Sequence, residues 1–172
     1  MTNRIAIRPV SISDLPSFIA ASRASRALHK GWVSAPCDDE TFKKYVARFD
    51  RKLNHGFVVH LVNSGELVGA INLTNIVLGA FRSGYLGYFA FNGFAGRGLM
   101  QRGLRAVVRH AFHDLKLHRL EANIQPGNAA SIALVQRCGF RKEGFSPAYL
   151  KIGGRWRDHE RWAIIRNSPD AA

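Results

Sequence analysis

The sequence predicts a single domain of mixed α/β (α+β) class, with a mixed, largely antiparallel central sheet flanked by helices. Three observations carry this reading. β-rich runs come in neighbouring pairs, joined by Asn63-Ser64-Gly65 and by Gly153-Gly154, which are hairpin signals. Between those pairs, residues 99–115 repeat apolar side chains at helical spacing. No repeat, linker or low-complexity segment divides the chain, so residues 1–172 read as one domain, long enough to bury a core without metals or disulfides.

Taken in order, Ile5 to Val10 reads as a strand, and Ser13 as the N-cap of a helical run toward Leu28. A turn around Gly31 and Pro36 leads to a second helix, Asp38 to Leu53, with Phe42, Tyr45, Val46, Phe49 and Leu53 as its apolar stripe. The runs "GFVVHLV", "ELVGAINLT" and "GYLGYFAF" are strands. The helix after residue 98 buries Met100, Leu104, Val107, Val108, Ala111, Phe112 and Leu115, and turns its arginines outward. "RLEANI" is a strand, Asn128 caps a further helix, and Gly139 ends it. Strands near Phe140 to Phe145, Ala148 to Ile152 and Trp156 to Ile165 close the chain.

Composition narrows the class. No run approaches the roughly 18 apolar residues of a membrane span, and the N-terminus lacks a signal-peptide apolar stretch, so a cytoplasmic protein with no membrane partner is expected. Cys37 and Cys138 have no metal-ligand spacing around them; two reduced thiols and no metal site are expected. Lys and Arg number 25 against 12 Asp and Glu, a net charge of +13. Between Glu66 and Asp114 there is no acidic residue, while Arg82, Arg97, Arg102, Arg105 and Arg109 all fall there. Such a surface attracts polyanions: nucleic acid, a ribosome, or a phosphate-rich cofactor.

The stretch "FNGFAGRGLMQRG", residues 91–103, lies between a strand and a helix, as phosphate-cradling loops do. It is no P-loop, because neither Gly98 nor Gly103 is followed by Lys. A dinucleotide fingerprint fails at its third glycine, where Gln101 stands. The physics still favours an anion: unpaired N–H groups at the helix start point outward, the dipole favours negative charge, and Arg97 and Arg102 add to it.

With these residues in place, "GYLGYFAFNGFAGRGLMQRGLRAVVRHAF" resembles the acetyl-CoA-binding core of the GNAT acetyltransferases. Their short pattern, Q/R-x-x-G-x-G/A, is met only in part: Ala95 stands at the Q/R place, Gly98 at the central glycine and Met100 at the last. "LHRLEANIQPGNAAS", "GFRKEGF" and "YLKIGGRWRDH" extend the match, and residues 57–166 are similar to the Rim-type ribosomal-protein-alanine N-acetyltransferases of the RimJ branch.

The resemblance implies acetyl-CoA as co-substrate. The backbone of Tyr88, Phe89, Ala90 and Phe91 would bond its pantetheine arm and supply an N–H to the oxyanion. Gly96, Arg97, Gly98, Leu99 and Met100 would carry the pyrophosphate, and Asn128 would contact the arm while also capping its helix. The family's usual acid is a tyrosine where this chain has Val135, so the role passes to Ser131, which matches a Rim-type serine; as a plain first-turn serine it would only satisfy backbone groups. The family's proposed base is a carboxylate where this chain has Ala148, which leaves Glu121 and Glu143 as substitutes. Asp158-His159 is read as structural.

A missing carboxylate favours an N-terminal acceptor. At pH 7.4 about a quarter of α-amines are neutral, against about one lysine in a thousand. The implied reaction is direct acetyl transfer to a protein N-terminal α-amine, of a ribosomal-protein type, by a monomer or homodimer near a ribosome or RNA. Two other readings stay open: acetylation of a small amine, and a non-catalytic acetyl-CoA- or RNA-binding module with Trp156 and Trp162 as a stacking platform beside Arg155, Arg157 and Arg161.

Overall fold

The computed structural model describes residues 4–166. Its strands are β1 (Ile5–Pro9), β2 (His55–Leu61), β3 (Leu67–Val77), β4 (Ser83–Ala90), β5 (Arg119–Ile124), β6 (Arg141–Ile152) and β7 (Arg155–Ile165). Its helices are α1 (Leu15–Ala24), α2 (Arg26–His29), α3 (Asp39–Ala47), α4 (Leu99–His113) and α5 (Ala129–Arg137). The seven strands form one sheet in the order β1-β2-β3-β4-β5-β7-β6. Only β4 and β5 run parallel.

Both faces are covered, which is why the central strands read as continuous apolar runs. On one face Val59, Ile71 and Leu73 pack with Leu104, Val107 and Ala111 of α4. On the other, Val58, Ala70, Phe89 and Phe91 pack with Phe18 of α1 and Phe42 and Tyr45 of α3. The alternation within β2 and β3 thus splits one apolar run between two cores. α4 comes so close to β2 that a Cβ added at Gly103 would lie 2.7 Å from Val59 Cγ2.

Three local expectations are corrected. Ser13 does not cap a helix; it lies inside a 3₁₀ turn, Ile12–Asp14, and Asp14 precedes Leu15 as the N-cap of α1. The second helix stops at Ala47 rather than Leu53, because the Asp50 carboxylate accepts from the N–H groups of Lys52, Leu53 and Asn54 and builds a turn instead. Those bonds hold the Asp50 carboxyl at about 2. The two strands read around Phe145 and Ala148 are one strand, β6, with an irregular register between Ser146 and Leu150. Ala148 there has a φ of +46°, and its N–H donates to Asp158 at 2.8 Å.

Candidate active site

The site grows from a parting of strands. β4 pairs with β5 only from Ser83 to Leu86, opposite Arg119 to Ala122. Beyond that, β4 continues against β3 alone, and β5 against β7 alone. Phe91 donates its N–H to Val68 at 2.8 Å, so the alternation of the ladder also turns the amide groups of Phe89 toward β3. The amide groups of Tyr88 and Ala90 therefore face the gap. Of the four backbone positions expected to bind an extended amide ligand, Phe89 and Phe91 are committed to the sheet, while Tyr88 keeps both its amide groups and Ala90 its N–H for the gap, the Ala90 carbonyl accepting from His29 at 2.8 Å.

The gap opens toward the loop before α4. Gly93, Gly96 and Gly98 all have positive φ, of +82°, +73° and +73°. A Cβ at Gly96 or Gly98 would meet nothing within 4 Å, so a ligand has room there. Gly98 is the N-cap of α4 and has no side chain to satisfy the first helical N–H groups. Leu99 and Met100 anchor that turn by burying their side chains, which leaves their backbone N–H groups as donors. The Arg97 guanidinium folds back onto the loop, donating to Gly93 O at 3.1 Å and lying 5.8 Å from the centre of the Phe94 ring.

Asn128 and Ser131 stand across the gap at the start of α5. Asn128 caps the helix, its Oδ1 accepting from the Ser131 N–H at 3.2 Å. The Ser131 hydroxyl does not serve the backbone. It lies 2.7 Å from the Tyr88 hydroxyl, on the α4 and α5 side of the sheet. Sequence reasoning took Tyr88 only for its backbone and missed this pairing; no local pattern could reveal it, since the two residues are 43 positions apart.

The remaining expected residues have other partners. Arg119 donates to Glu121 at 2.8 Å and also pairs with Glu143, and this holds the Glu143 carboxyl below the usual range. Both carboxylates thereby share one guanidinium beside the stretch where β4 and β5 still pair. His159 is buried and bonds Arg157 O at 2.9 Å, while Asp158 holds the irregular segment of β6; both serve the framework. Trp162 is buried with its Nε1 on Glu160, and Trp156 is 64% exposed, so the two do not form a stacking platform. Cys37 and Cys138 are free thiols, and burial pushes that of Cys138 up to about 11. Among the described residues no group of His, Cys, Asp or Glu could hold a metal. No helix among them is long and apolar enough to cross a membrane.

One atom is left over. Asn123 Oδ1 is buried with no hydrogen-bond partner among the described residues. It lies on β5 one position past the last residue paired with β4, and Leu120, Ala122 and Ile124 turn to the opposite face. A buried acceptor without a donor costs roughly 1–3 kcal/mol, a cost that a donor from a ligand in the gap would remove.

A parted parallel strand pair, a glycine-bordered helix N-terminus at its mouth and hydroxyls on its wall define a group transferase with an extended, phosphate-bearing co-substrate. The acetyltransferase (GNAT) domain model matches residues 4–141, and the chain belongs to that family. It is an acetyl-CoA-dependent acyltransferase, the coarse activity that the resemblance implied. A probable N-acetyltransferase of Bacillus subtilis, YjcK, is 30% identical over 174 residues, 96% of this chain and 95% of the relative. The [ribosomal protein uS5]-alanine N-acetyltransferase of Escherichia coli is 41% identical over 105 residues, 61% of this chain and 53% of the relative. The structure of Mycobacterium smegmatis RimJ in complex with CoA-disulfide superposes with a TM-score of 0.88 at 27% identity, covering 97% of this chain and 86% of that one.

Proposed function

We propose that the protein transfers acetyl from acetyl-CoA to a protein N-terminal α-amine, of the kind a ribosomal protein presents. The observation that carries this reading is the state of the carboxylates. Glu121 and Glu143 are tied to Arg119, and Ala148 cannot act as a base. An enzyme so equipped suits an amine that is already partly neutral at working pH, which an α-amine is and a lysine is not.

The family's co-substrate supplies an acetyl group activated as a thioester. The chain's own residues do the rest. The Tyr88 amide groups and the Ala90 N–H orient the arm along β4, and the N–H groups of Gly98 to Met100 receive the pyrophosphate at a helix start. The Tyr88 N–H is the donor placed for negative charge on the acetyl oxygen. Ser131, backed by Tyr88, returns a proton to the leaving thiolate.

The basic surface supports an acceptor near RNA. Arg4 on the edge beside β1 lines a cleft of about 550 Å³ with Arg102, Arg105 and Arg109 of α4. None of the four makes an ion pair among the described residues. Such a surface repels a free polyamine, which sets the small-amine reading second.

The test is CoA release from acetyl-CoA with peptides that differ in their first residue, alongside small amines. We expect turnover on free N-terminal alanine or serine. Efficient acetylation of a lysine in an N-terminally blocked peptide would overturn the assignment.

A further inference from the structure

We infer that His29 is the general base of this transfer, drawing the proton from the acceptor amine on the face of the sheet opposite Ser131. The inference rests on the acetyl-transfer reading above. His29 ends α2 and is buried, 6% exposed, with its ring 5.2 Å from that of Phe89. Its Nε2 lies 2.8 Å from the carbonyl oxygen of Ala90, one of the two β4 residues whose amide groups face the gap. A carbonyl only accepts, so Nε2 carries the hydrogen and Nδ1 is the nitrogen left to take up a proton. Among the described residues Nδ1 makes no hydrogen bond, and it is not one of the buried unpaired atoms, so it is accessible; His29 lines a cleft.

That cleft, of about 420 Å³, is also lined by Arg26, Lys30 and Cys37. Among the described residues no carboxylate lines it; its charged lining residues are both cations, and Cys37 is the other titratable group. The ring's remaining neighbours, Phe89 and Phe91 of the β4 segment, are apolar. The position is fixed from a second side, because Ser25, fully buried between α1 and α2, accepts the Asn92 N–H at 2.8 Å. α2 is thus fastened to the end of β4 twice, at Ala90 and at Asn92. The unpaired Asn123 Oδ1 lies on this same face of the sheet, across the gap, and offers an acceptor for the second amine hydrogen.

Phe89 and Phe91 belong to the core under α1 and α3, whereas Tyr88 packs in the core under α4. His29 and the Tyr88–Ser131 pair therefore approach one strand edge from opposite faces. Transfer needs that division. The acceptor nitrogen bonds the acetyl carbon and the carbon–sulfur bond breaks. The nitrogen's proton goes to His29 Nδ1 and the thiolate takes one from Ser131; His29 then releases its proton to solvent and Ser131 regains one from solvent, so the step closes. As a class, imidazoles lie far closer in base strength to α-amines than to lysine amines.

The test compares His29→Gln, whose amide keeps a donor for Ala90, with His29→Ala, which keeps neither function. Acetyl-CoA affinity, melting temperature, and kcat and KM on an N-terminal alanine peptide are measured, with and without added imidazole. We expect both variants to lose about 100-fold in kcat with acetyl-CoA affinity held, and imidazole to restore His29→Ala. A His29→Gln enzyme turning over like wild type, or losing acetyl-CoA affinity along with kcat, would make His29 a fastening for α2 and overturn the inference alone. Wild type that acetylates no amine in the panel would overturn the transfer reading beneath it.

Discussion

Tyr88 and Ser131 hold their hydroxyls 2.7 Å apart across 43 positions of sequence, and this bond ties the open edge of β4 to the first turn of α5. Burial pushes the Tyr88 phenol well above its ordinary value, so it keeps its proton through the working pH range. Asn128 already satisfies the Ser131 N–H, which leaves the serine hydroxyl free for this partner. Two hydroxyls in series form a short path from a neutral phenol toward the gap.

Ser131→Ala should lower kcat by about 100-fold, toward the weak end of positioned proton donors, because a thiol near the cysteine range is already a fair leaving group. Acetyl-CoA affinity should stay within about twofold. Tyr88→Phe should lower kcat less, and the double variant should be no slower than Ser131→Ala, since the tyrosine acts through the serine. A Ser131→Ala kcat within about twofold of wild type, with chemistry rate-limiting, would reduce Ser131 to a helix-start residue.

Gly98→Glu should abolish acetyl-CoA binding, which we expect to be micromolar in wild type, while leaving the protein folded. The space beyond Gly98 is open, so the fold does not resist a side chain sterically. The cost comes from its φ of +73°, about 1–2 kcal/mol for an L-residue, and from a carboxylate placed where the loop gathers anions. Gly98→Ala isolates the backbone share. Calorimetry distinguishes the two: a Glu variant that still binds acetyl-CoA would move the phosphate site elsewhere.

Much of this was legible before any coordinates. β-rich apolar runs mark β2 through β5 and a 3.6-residue period marks α4, each within a few residues of its bounds, because these signals are local to each segment. The end of α3 was not legible, since one exposed carboxylate at Asp50 outbids a helical stripe. The phosphate loop could be read from its glycines, a local signal. Tyr88, His29 and Asn123 could not be read as site side chains. Their meaning depends on contacts, or on a missing contact, set by the parting of β4 from β5. A lone histidine 61 positions from its carbonyl partner leaves no pattern in the chain.

Reversing Arg4 and Arg109 to Glu should weaken binding to folded RNA and flatten its salt dependence, with kcat on a short peptide unchanged. The two side chains line the same cleft, and Arg109 lies ten residues, roughly 15 Å of helix, from the Leu99 start of α4. Each lost phosphate contact lowers the slope of log affinity against log salt by about 0.7–0.9. A variant with unchanged RNA affinity, measured by filter binding across a salt series, would leave this cleft without a polyanion role.

Asp14→Asn should destabilise the protein at neutral pH and lose that effect in acid. Asp14 is 4% exposed and bonds Arg8 at 2.5 and 2.9 Å and the Ser11 N–H at 2.9 Å, fastening β1 to the turn that launches α1. Burial alone would push its carboxyl up; the bonds from Arg8 and Ser11 outweigh this and hold it below the ordinary carboxylate range. A depressed carboxyl stabilises the fold above its unfolded value, near 3.9, and that contribution is lost as pH falls through the lower folded value. At pH 7 we expect a loss of about 1–3 kcal/mol, read as a melting temperature lower by roughly 3–10 °C. Because Arg8 is half exposed, the guanidinium left behind regains water and the loss stays below that of a fully buried pair. The gap between the two proteins should narrow steadily below about pH 4. An equal gap at pH 3 and pH 7 would mean that Asn harms the turn by its shape, and that the carboxylate charge contributes nothing.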